Sequence, residues 1–447
     1  MMKENFVLRL NGLNFYENKN IGIVGFGQTG QSIVRFLENL GANIFLFDDK
    51  IIDNPYYQNS KNFNWKKLDF LIVSPGIHLW WDIHPAVQKA REFFIPIMSD
   101  LDIFRQQVDG KIIAITGTNG KSTTTALIHH IFQKKYRTEI GGNFGKPVLD
   151  LSKNADFYVL ELSSYQLESC NLLGFDTTIL LNVTPDHLTR HGGMEGYVAA
   201  KQKIFANPKK NSTAIVGIDD KFCRYILDLV HYPKVIKISG KEVPENGIGW
   251  HENRLIDNRE NKFKVIGSNV PKLDGNHNRQ NIAAAYASCI TNGIDEKIFA
   301  ERLATFSGLE HRQEFVKSIS GVQYINDSKA TNADSVQQAL MRFKNIIWIL
   351  GGRPKEDEIE SLRPYFSKIK FAFLIGEAAE KWHEFLNKNH VKNEVVFNLK
   401  NAVKKSFKIA QEKDVVLLSP ACASFDQFKS FEDRGNQFKK FVEELPC

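Results

Sequence analysis

The run Thr116-Gly117-Thr118-Asn119-Gly120-Lys121-Ser122-Thr123 (TGTNGKST) decides how this 447-residue chain is read. It follows the apolar stretch Ile112-Ile113-Ala114-Ile115 and precedes a helical run, Thr124 to Phe132. A buried strand that breaks at a glycine turn and opens a helix aims backbone N–H groups and a positive dipole end at phosphate. Lys121 is placed to reach terminal phosphates, and the Ser122 hydroxyl to hold a magnesium ion. The usual pattern sets four residues between its glycine and the Gly-Lys pair. Here only Thr118 and Asn119 separate Gly117 from Gly120, and Ile115 stands where the regular first glycine would. This is a shortened phosphate loop, and ATP is the ligand it predicts. The bland alternative is a polar strand-to-helix turn that binds nothing.

Length predicts two to three domains. A composition of 43% hydrophobic and 24% charged residues is that of a soluble globular protein. No apolar run approaches the ~20 residues that span a bilayer, and the opening MMKENFVLRLNG lacks the apolar core of a signal peptide. Five cysteines (Cys170, Cys223, Cys289, Cys422, Cys447) are scattered without CxxC spacing, which argues against a disulfide framework or zinc site and fits a reducing cytoplasm. The net charge of +7 is spread along the chain. That distribution suits a solvated lysine-rich surface or a field for anionic small substrates. It predicts no nucleic-acid and no membrane partner.

Strand and helix signals alternate over the first ~100 residues: strands at Ile21 to Val24, Asn43 to Phe47 and Phe70 to Val73, a helix at Gln31 to Asn39. Such alternation implies a parallel sheet with crossover helices. The polar stretch Met98 to Gly110 reads as a linker. A second block runs from Lys111 to about Leu309, with strands at Phe157 to Leu160 and Thr178 to Asn182 and a small antiparallel excursion (Arg254 to Ile256, Phe263 to Ile266). The third block resumes βα alternation, with strands at Val322 to Asn326, Ile346 to Leu350, Phe371 to Ile375, Val395 to Phe397 and Val415 to Leu418. The fold class is α/β in three units.

Gly25-Phe26-Gly27-Gln28-Thr29-Gly30 matches GxGxxG between a strand and a helix, and Asp48 follows 18 residues after Gly30, placed for a ribose hydroxyl. The same turn serves any diphosphate, so an NAD(P) oxidoreductase competes here. A downstream ATP loop has no role in hydride transfer, and the combination favours a diphosphate-bearing substrate such as a nucleotide sugar. Glu161 ends a hydrophobic strand and His187 follows another, so both can stand in one cleft with Ser122 and Lys201. A carboxylate, a hydroxyl and an imidazole suit magnesium bridging ATP and an anionic acceptor. Equally, Glu161 could cap the helix at Ser163, His187 could be structural, and Lys201 could be solvated. Asn278 and Asn281 stand three apart at a helix start and could read an adenine edge. His311-Arg312 could clamp phosphate. Asp327 to Asn332 (DSKATN), Lys355 after a strand, and Ser419 to Phe428 (SPACASFDQF) are further polar clusters at strand ends, each of which could also be an ordinary turn.

These runs together resemble the Mur ligases of bacterial cell-wall synthesis. The resemblance covers essentially the whole chain: GFGQTG, SPG (Ser74 to Gly76), TGTNGKST, GGN (Gly141 to Asn143), ELSSYQLE, NVTPDHL, AAK, GNHN, EHR, DSKATN, LGG and LSPACASFDQFKSFEDRG. The shortened loop marks the wider group, which includes folylpolyglutamate synthases. ELSSYQLE and SPACASFDQF are specific to the member that adds D-glutamate to UDP-N-acetylmuramoyl-L-alanine, and the DNPR run of the member that adds the third amino acid is missing. Asp49-Lys50 and Thr189 stand where the commoner residues are Thr-Arg and Asp.

The resemblance implies a Rossmann-like UDP-binding domain (1–99), a central ATPase domain with a mainly parallel sheet (100–308) and a Rossmann-like domain that brings the amino acid (309–447). It places Gln28, Thr29, Asp48, Asp49, Gly76 and Asn143 at the UDP substrate. It places Gly117, Thr118, Asn119, Gly120, Lys121, Ser122, Thr123, Asn278, Asn281, Arg312 and Asp327 at ATP. Two magnesium ions would be held by Ser122 with Glu161 and by His187 with Lys201, the lysine as a carbamate. Lys329, Thr331, Lys355, Ser424 and Phe431 would surround D-glutamate. Lys121, Glu161, His187, Lys201 and Lys329 form the implied catalytic set. A free lysine with pKa ~10.4 is a cation and cannot ligate magnesium, whereas its carbamate is an anion. The implied reaction is ATP-dependent amide formation through an acyl phosphate in a cytoplasmic, monomeric enzyme of peptidoglycan precursor synthesis, and hence of cell shape and division. A folylpolyglutamate synthase, an NAD(P)-binding regulator or dehydrogenase, and a non-catalytic ATP switch are the competing readings.

Overall fold

Apolar runs bounded by glycine and polar turns become three separate sheets, as alternating strand and helix signals require. The computed structural model describes residues 15–61, 63–171, 174–259, 264–266, 276–306, 308–354 and 359–446. The chain divides into two compact units, Met1–Phe306 and Ser307–Cys447, the first with two sheets and the second with one. Among the described residues no helix is long and apolar enough to cross a membrane.

In the first sheet β1 (Asn20–Val24), β2 (Asn43–Phe47), β3 (Phe70–Val73) and β4 (Ile97–Met98) pair in parallel in the order β2-β1-β3-β4. Strand order reverses between β1 and β3, so their carboxyl ends frame the crevice in which such sheets bind ligands. The following helix, Gln28–Glu38, starts three residues before the expected Gln31, because extended Gly27 already caps it. It buries Ile33, Val34, Phe36 and Leu37 against the sheet.

The expected linker at Met98 to Gly110 is not one. Met98 ends β4 and Asp100–Gln107 is a helix. Its polar opening is a capping box, in which Ser99 and Asp102 satisfy each other's backbone N–H groups. Leu101, Ile103 and Phe104 are buried. Capping chemistry and linker composition share the same residue types, and burial separates them.

The second sheet comprises β5 (Lys111–Thr116), β6 (Thr138–Gly142), β7 (Phe157–Glu161), β8 (Thr177–Leu180), β9 (Thr213–Gly217), β10 (Lys234–Ile238), β11 (Gly247–His251), β12 (Arg254–Asp257) and β13 (Lys264–Val265). Their order is β13-β12-β11-β10-β9-β8-β5-β7-β6. Among the described residues only the β11-β12 and β12-β13 pairings of this sheet are antiparallel, which is the expected excursion; Phe263 lies outside the described residues. β5 is apolar on both faces because helices cover both. Ile113 and Ile115 meet Leu127 and Ile128 of helix Lys121–Phe132 and Ala283 to Ala287 of helix Asn276–Thr291, while Ile112 and Ala114 enter the opposite layer with Tyr158 and Leu160. The strand order reverses around β5, so the ends of β5, β7 and β8 are neighbours.

The third sheet comprises β14 (Glu314–Ile319), β15 (Val322–Asn326), β16 (Ile346–Gly351), β17 (Ile369–Ile375), β18 (Asn393–Phe397) and β19 (Val415–Leu418), in the order β14-β15-β19-β16-β17-β18. The unexpected β14 forms an antiparallel edge on β15, and its alternation is weak because Phe315 points outward. Insertion of β19 between β15 and β16 puts Asp327, Gly351 and Ser419 at adjacent strand ends.

Candidate active site

The phosphate loop leaves β5 and closes on Gly120, the N-cap of helix Lys121–Phe132, with φ +85°. A Cβ at Gly120 would collide with Oδ1 of Asn281, so the loop and the Asn278/Asn281 segment are in direct contact. Asn281 donates to Asn278 Oδ1 at 3.2 Å, and its own Oδ1 is buried without a hydrogen-bond partner. Asn182, at the end of β8, clamps Asn119 on both sides: its Oδ1 accepts Asn119 N–H at 2.8 Å and its Nδ2 donates to Asn119 O at 3.1 Å. Gln280 continues the chain from Asn182 to Asp219. Thr118 Oγ1 donates to Thr184 O at 3.1 Å and shares a 3.0 Å hydrogen bond with Tyr197. Ser122 and Thr123 are buried in the first turn of the helix.

Two lysines meet at one carbonyl. Lys121 Nζ donates to Gly117 O and Thr118 O, both at 2.9 Å, and Lys201 Nζ donates to Gly117 O at 2.8 Å. Lys201 is not the solvated lysine its helix would suggest; it is 1% exposed. Burial first, and then the charge of Lys121, push its pKa far down, against weaker pulls from Asp186 and Glu161. Its ammonium is thus driven toward the neutral amine.

Glu161, also buried, accepts Asn143 Nδ2 on Oε1 at 2.8 Å, while Oε2 has no hydrogen-bond partner. It does not cap the next helix; Ser163 does, in a capping box with Gln166. A buried carboxylate oxygen without a donor suits a cation, so this donor fits magnesium. His187 is half-exposed, holds a left-handed backbone at φ 52°, and stands 3.5 Å from Asp186 and 5.1 Å from the Tyr165 ring. Among the described residues no three His, Cys, Asp or Glu side chains form a metal-holding cluster.

At the crevice of the first sheet, Gly30 has no room for a Cβ against the Gly25 carbonyl, which is the tight turn GxGxxG implies. Asp48 accepts Phe26 N–H at 2.8 Å and Lys50 N–H at 3.0 Å, so it shapes the turn. Asp49 is exposed and 3.1 Å from His84. Gln28 and Gly76 are exposed at the crevice rim and Thr29 is half-buried. Asn143 lies apart from these residues, at β6 beside Glu161.

In the second unit, Asp327 is buried, accepting the Ser419 hydroxyl at 2.7 Å and Gln313 N–H at 3.1 Å; burial pushes its carboxyl up to about 7. Arg312 pulls the same carboxyl down. His311 is buried 2.9 Å from Asn326 Nδ2, packed so closely on Gly435 that a Cβ there would collide with it. That packing gives His311 a structural role. Lys329 Nζ lies 5.5 Å over the Phe431 ring, which brings those two residues together. Thr331 is half-buried and Ser424 buried, its carbonyl accepting Phe428 N–H at 2.9 Å. Lys355 lies outside the described residues.

Sequence reasoning passed over Arg434, which is fully buried and donates to Ser328, Cys422 and Gly351 at the ends of three strands. It lies in the FEDRG run, but a lone arginine there gives no sign of burial. Asn182 and Tyr197 went unremarked beside His187 and Lys201 for the same reason: their partners are far away in sequence.

The sequence profile of the Mur ligase middle domain matches residues 115–289, and that of the Mur ligase, glutamate ligase domain matches 311–422. The UDP-N-acetylmuramoylalanine--D-glutamate ligase of Rhodospirillum rubrum is 42% identical over 96% of this chain and 95% of its own length. The chain belongs to the Mur ligase family. The Rickettsia bellii protein of the same description is 38% identical over 97% of this chain and 99% of its own. Among solved structures, the MurF ligase of Thermotoga maritima in complex with ADP aligns at a TM-score of 0.59 with 17% identity, over 97% of each chain. MurC of the same organism aligns at 0.59 with 17% identity, over 95% of this chain and 99% of its own. At that identity the likeness is one of fold. Mur ligases are ATP-dependent amide ligases, and this chain is a ligase of that kind.

Proposed function

We propose that the chain joins D-glutamate to UDP-N-acetylmuramoyl-L-alanine in peptidoglycan precursor synthesis, with ATP converted to ADP and phosphate. One observation carries the reading: Lys121 and the buried Lys201 converge on Gly117 O in a shortened phosphate loop, while a buried Glu161 oxygen near them lacks any donor. The near-full-length identity to D-glutamate ligases supports the substrate.

The substrate carboxylate must approach the γ-phosphate of ATP, and two unit negative charges ~3.5 Å apart repel by roughly 5 kcal/mol at an effective dielectric of ~20. Lys121 and the loop N–H groups would offset that repulsion. Two magnesium ions would supply further charge neutralisation, held by Ser122, Glu161, His187 and Lys201. Carbon dioxide would add to the neutral Lys201 amine with loss of one proton. The carbamate keeps one N–H for Gly117 O and gains an anionic carboxylate. The first sheet's crevice (Gln28, Thr29, Asp48, Asp49, Gly76) would take the UDP group, and Asn143 would hold the sugar or diphosphate while orienting Glu161. Asn278, Asn281, Arg312 and Asp327 would contribute to nucleotide binding. Lys329, Thr331, Lys355, Ser424 and Phe431 would take D-glutamate, whose amine then displaces phosphate from the acyl carbon. A division at 1–99, 100–308 and 309–447, a monomeric state, a cytoplasmic location and a part in cell shape and division complete the proposal.

Phosphate release with UDP-N-acetylmuramoyl-L-alanine against a panel of amino acids tests it, with folates as a second acceptor. D-Glutamate should be the amino acid that releases phosphate. Release with folate, or with no requirement for the UDP substrate, would overturn the assignment.

A further inference from the structure

Arg190 and Glu168 form an ion pair with side chains only 7% and 6% exposed, Nη2 to Oε2 at 3.0 Å. The same guanidinium donates to three successive carbonyls of the turn that leaves β3: Ile77 O at 2.7 Å, Gly76 O at 3.4 Å and Pro75 O at 3.4 Å. That turn is in turn fastened to the glycine turn of β1, through Ser74 Oγ donating to Gly25 O at 2.9 Å. On its other side Arg190 belongs to the short helix Leu188–His191, whose N-cap is His187. The guanidinium lies 4.9 Å over the Tyr165 ring, and that ring faces His187 at 5.1 Å and His191 at 5.5 Å. Just beyond, Gly192 admits the Trp81 ring, which a Cβ would meet at 2.6 Å. Trp81 sits in the same loop as the turn that Arg190 grips.

A buried ion pair is weak evidence of a stabilising role, because well-packed apolar residues in its place are often neutral or better. Apolar residues cannot donate to carbonyls or a carboxylate, whereas the planar guanidinium does so from two nitrogens at a fixed angle, Nη1 to Gly76 O and Nη2 to Pro75 O, Ile77 O and Glu168. We propose that Arg190, anchored on Glu168, is a positioning residue that holds the Pro75–Ile77 turn of the first sheet in register with the His187 segment of the second. The turn and the histidine then stand as one body. This rests on the reading above, in which Gly76 lies at the UDP substrate and His187 at a metal; Arg190 touches neither.

The test uses the full chain and two variants. Arg190→Lys keeps a cation beside Glu168 but loses the fork. The double variant R190M/E168L removes both charges together, so no buried ion is left unpaired, and gives up the hydrogen bonds to the turn. In both, kcat should fall about tenfold or more through misplacement of the reacting groups, with a raised KM for the UDP substrate and an unchanged KM for ATP. Amide hydrogen exchange should quicken together in residues 75–84 and 185–192 of both variants. Wild-type turnover with unchanged exchange in 75–84 would overturn the proposal. So would an activity loss that follows Tm and strikes both substrates alike, since that is a merely structural role. A wild-type protein that releases no ADP with the UDP substrate overturns the functional reading instead, and the exchange measurement still decides the role of Arg190.

Discussion

Replacing Asp327 by asparagine should relieve the second unit of a penalty that grows with pH. The side chain is 3% exposed. Burial is the largest influence on its carboxyl and raises the pKa from 3.8 to about 7, against the Ser419 hydroxyl, Arg312 and Gln313 N–H, which lower it. A folded-state pKa above the unfolded one means that the fold favours the protonated acid. Its contribution is fully present below about pH 4 and is lost as pH rises through about 7. The complete loss is about 4 kcal/mol, from a separation of ~3 pH units at 1.36 kcal/mol each. Roughly half of it, about 2 kcal/mol, falls between pH ~5.5 and ~8.5. For a domain of this size that is roughly 4–8 °C in Tm. Asparagine keeps both hydrogen bonds, since its oxygen can accept Gln313 N–H and its amide can donate to the Ser419 hydroxyl. Scanning calorimetry of the full chain across that range should show the Asp327→Asn variant gaining on the wild type by this amount as pH rises. Parallel pH profiles for the two proteins would refute the reasoning.

Gly120→Ala should weaken ATP binding roughly ten- to hundredfold, since a left-handed L-residue costs about 1–2 kcal/mol and the new methyl displaces Asn281. Gly27→Ala, at φ −69° with nothing within 4 Å of the added methyl, is the control and should leave ATP affinity unchanged in the same titration. Glu161→Gln keeps the hydrogen bond from Asn143 but removes the anion, so the variant should fold normally while ADP release falls about hundredfold or more across a magnesium titration. Mass spectrometry of peptides containing Lys201 in bicarbonate should show the addition of one carbon dioxide; an unmodified amine in turning-over enzyme would remove the carbamate from the mechanism. Arg434→Lys strands carbonyls of Cys422 and Gly351, each about 1–3 kcal/mol when buried and unpaired, and should lower Tm without changing ATP affinity at the phosphate loop.

What was legible beforehand was local. A glycine whose neighbours are a buried strand and a helix can only be a turn, so Gly25 to Gly30 and Gly117 to Thr123 declared their geometry. Apolar runs such as Ile112 to Ile115 announced strands covered on both faces. The polar opening of helix Asp100–Gln107 was misread as a linker because a capping box has the composition of a loop until the Leu101, Ile103 and Phe104 face is seen to be buried.

The amino-acid sequence by itself determined the strand–loop–helix units, the α/β class and the residue types at each strand end, because backbone sterics and periodicity act over a few neighbours. Only the tertiary structure decided that Lys201 is buried against Gly117 O, that Glu161 keeps one oxygen without a donor, that Arg190 grips a turn more than a hundred residues away, and that Asp327 holds its proton near neutral pH. Each of those properties depends on how much water remains around a charge and on which distant partner replaces it, and chain neighbours carry no record of either.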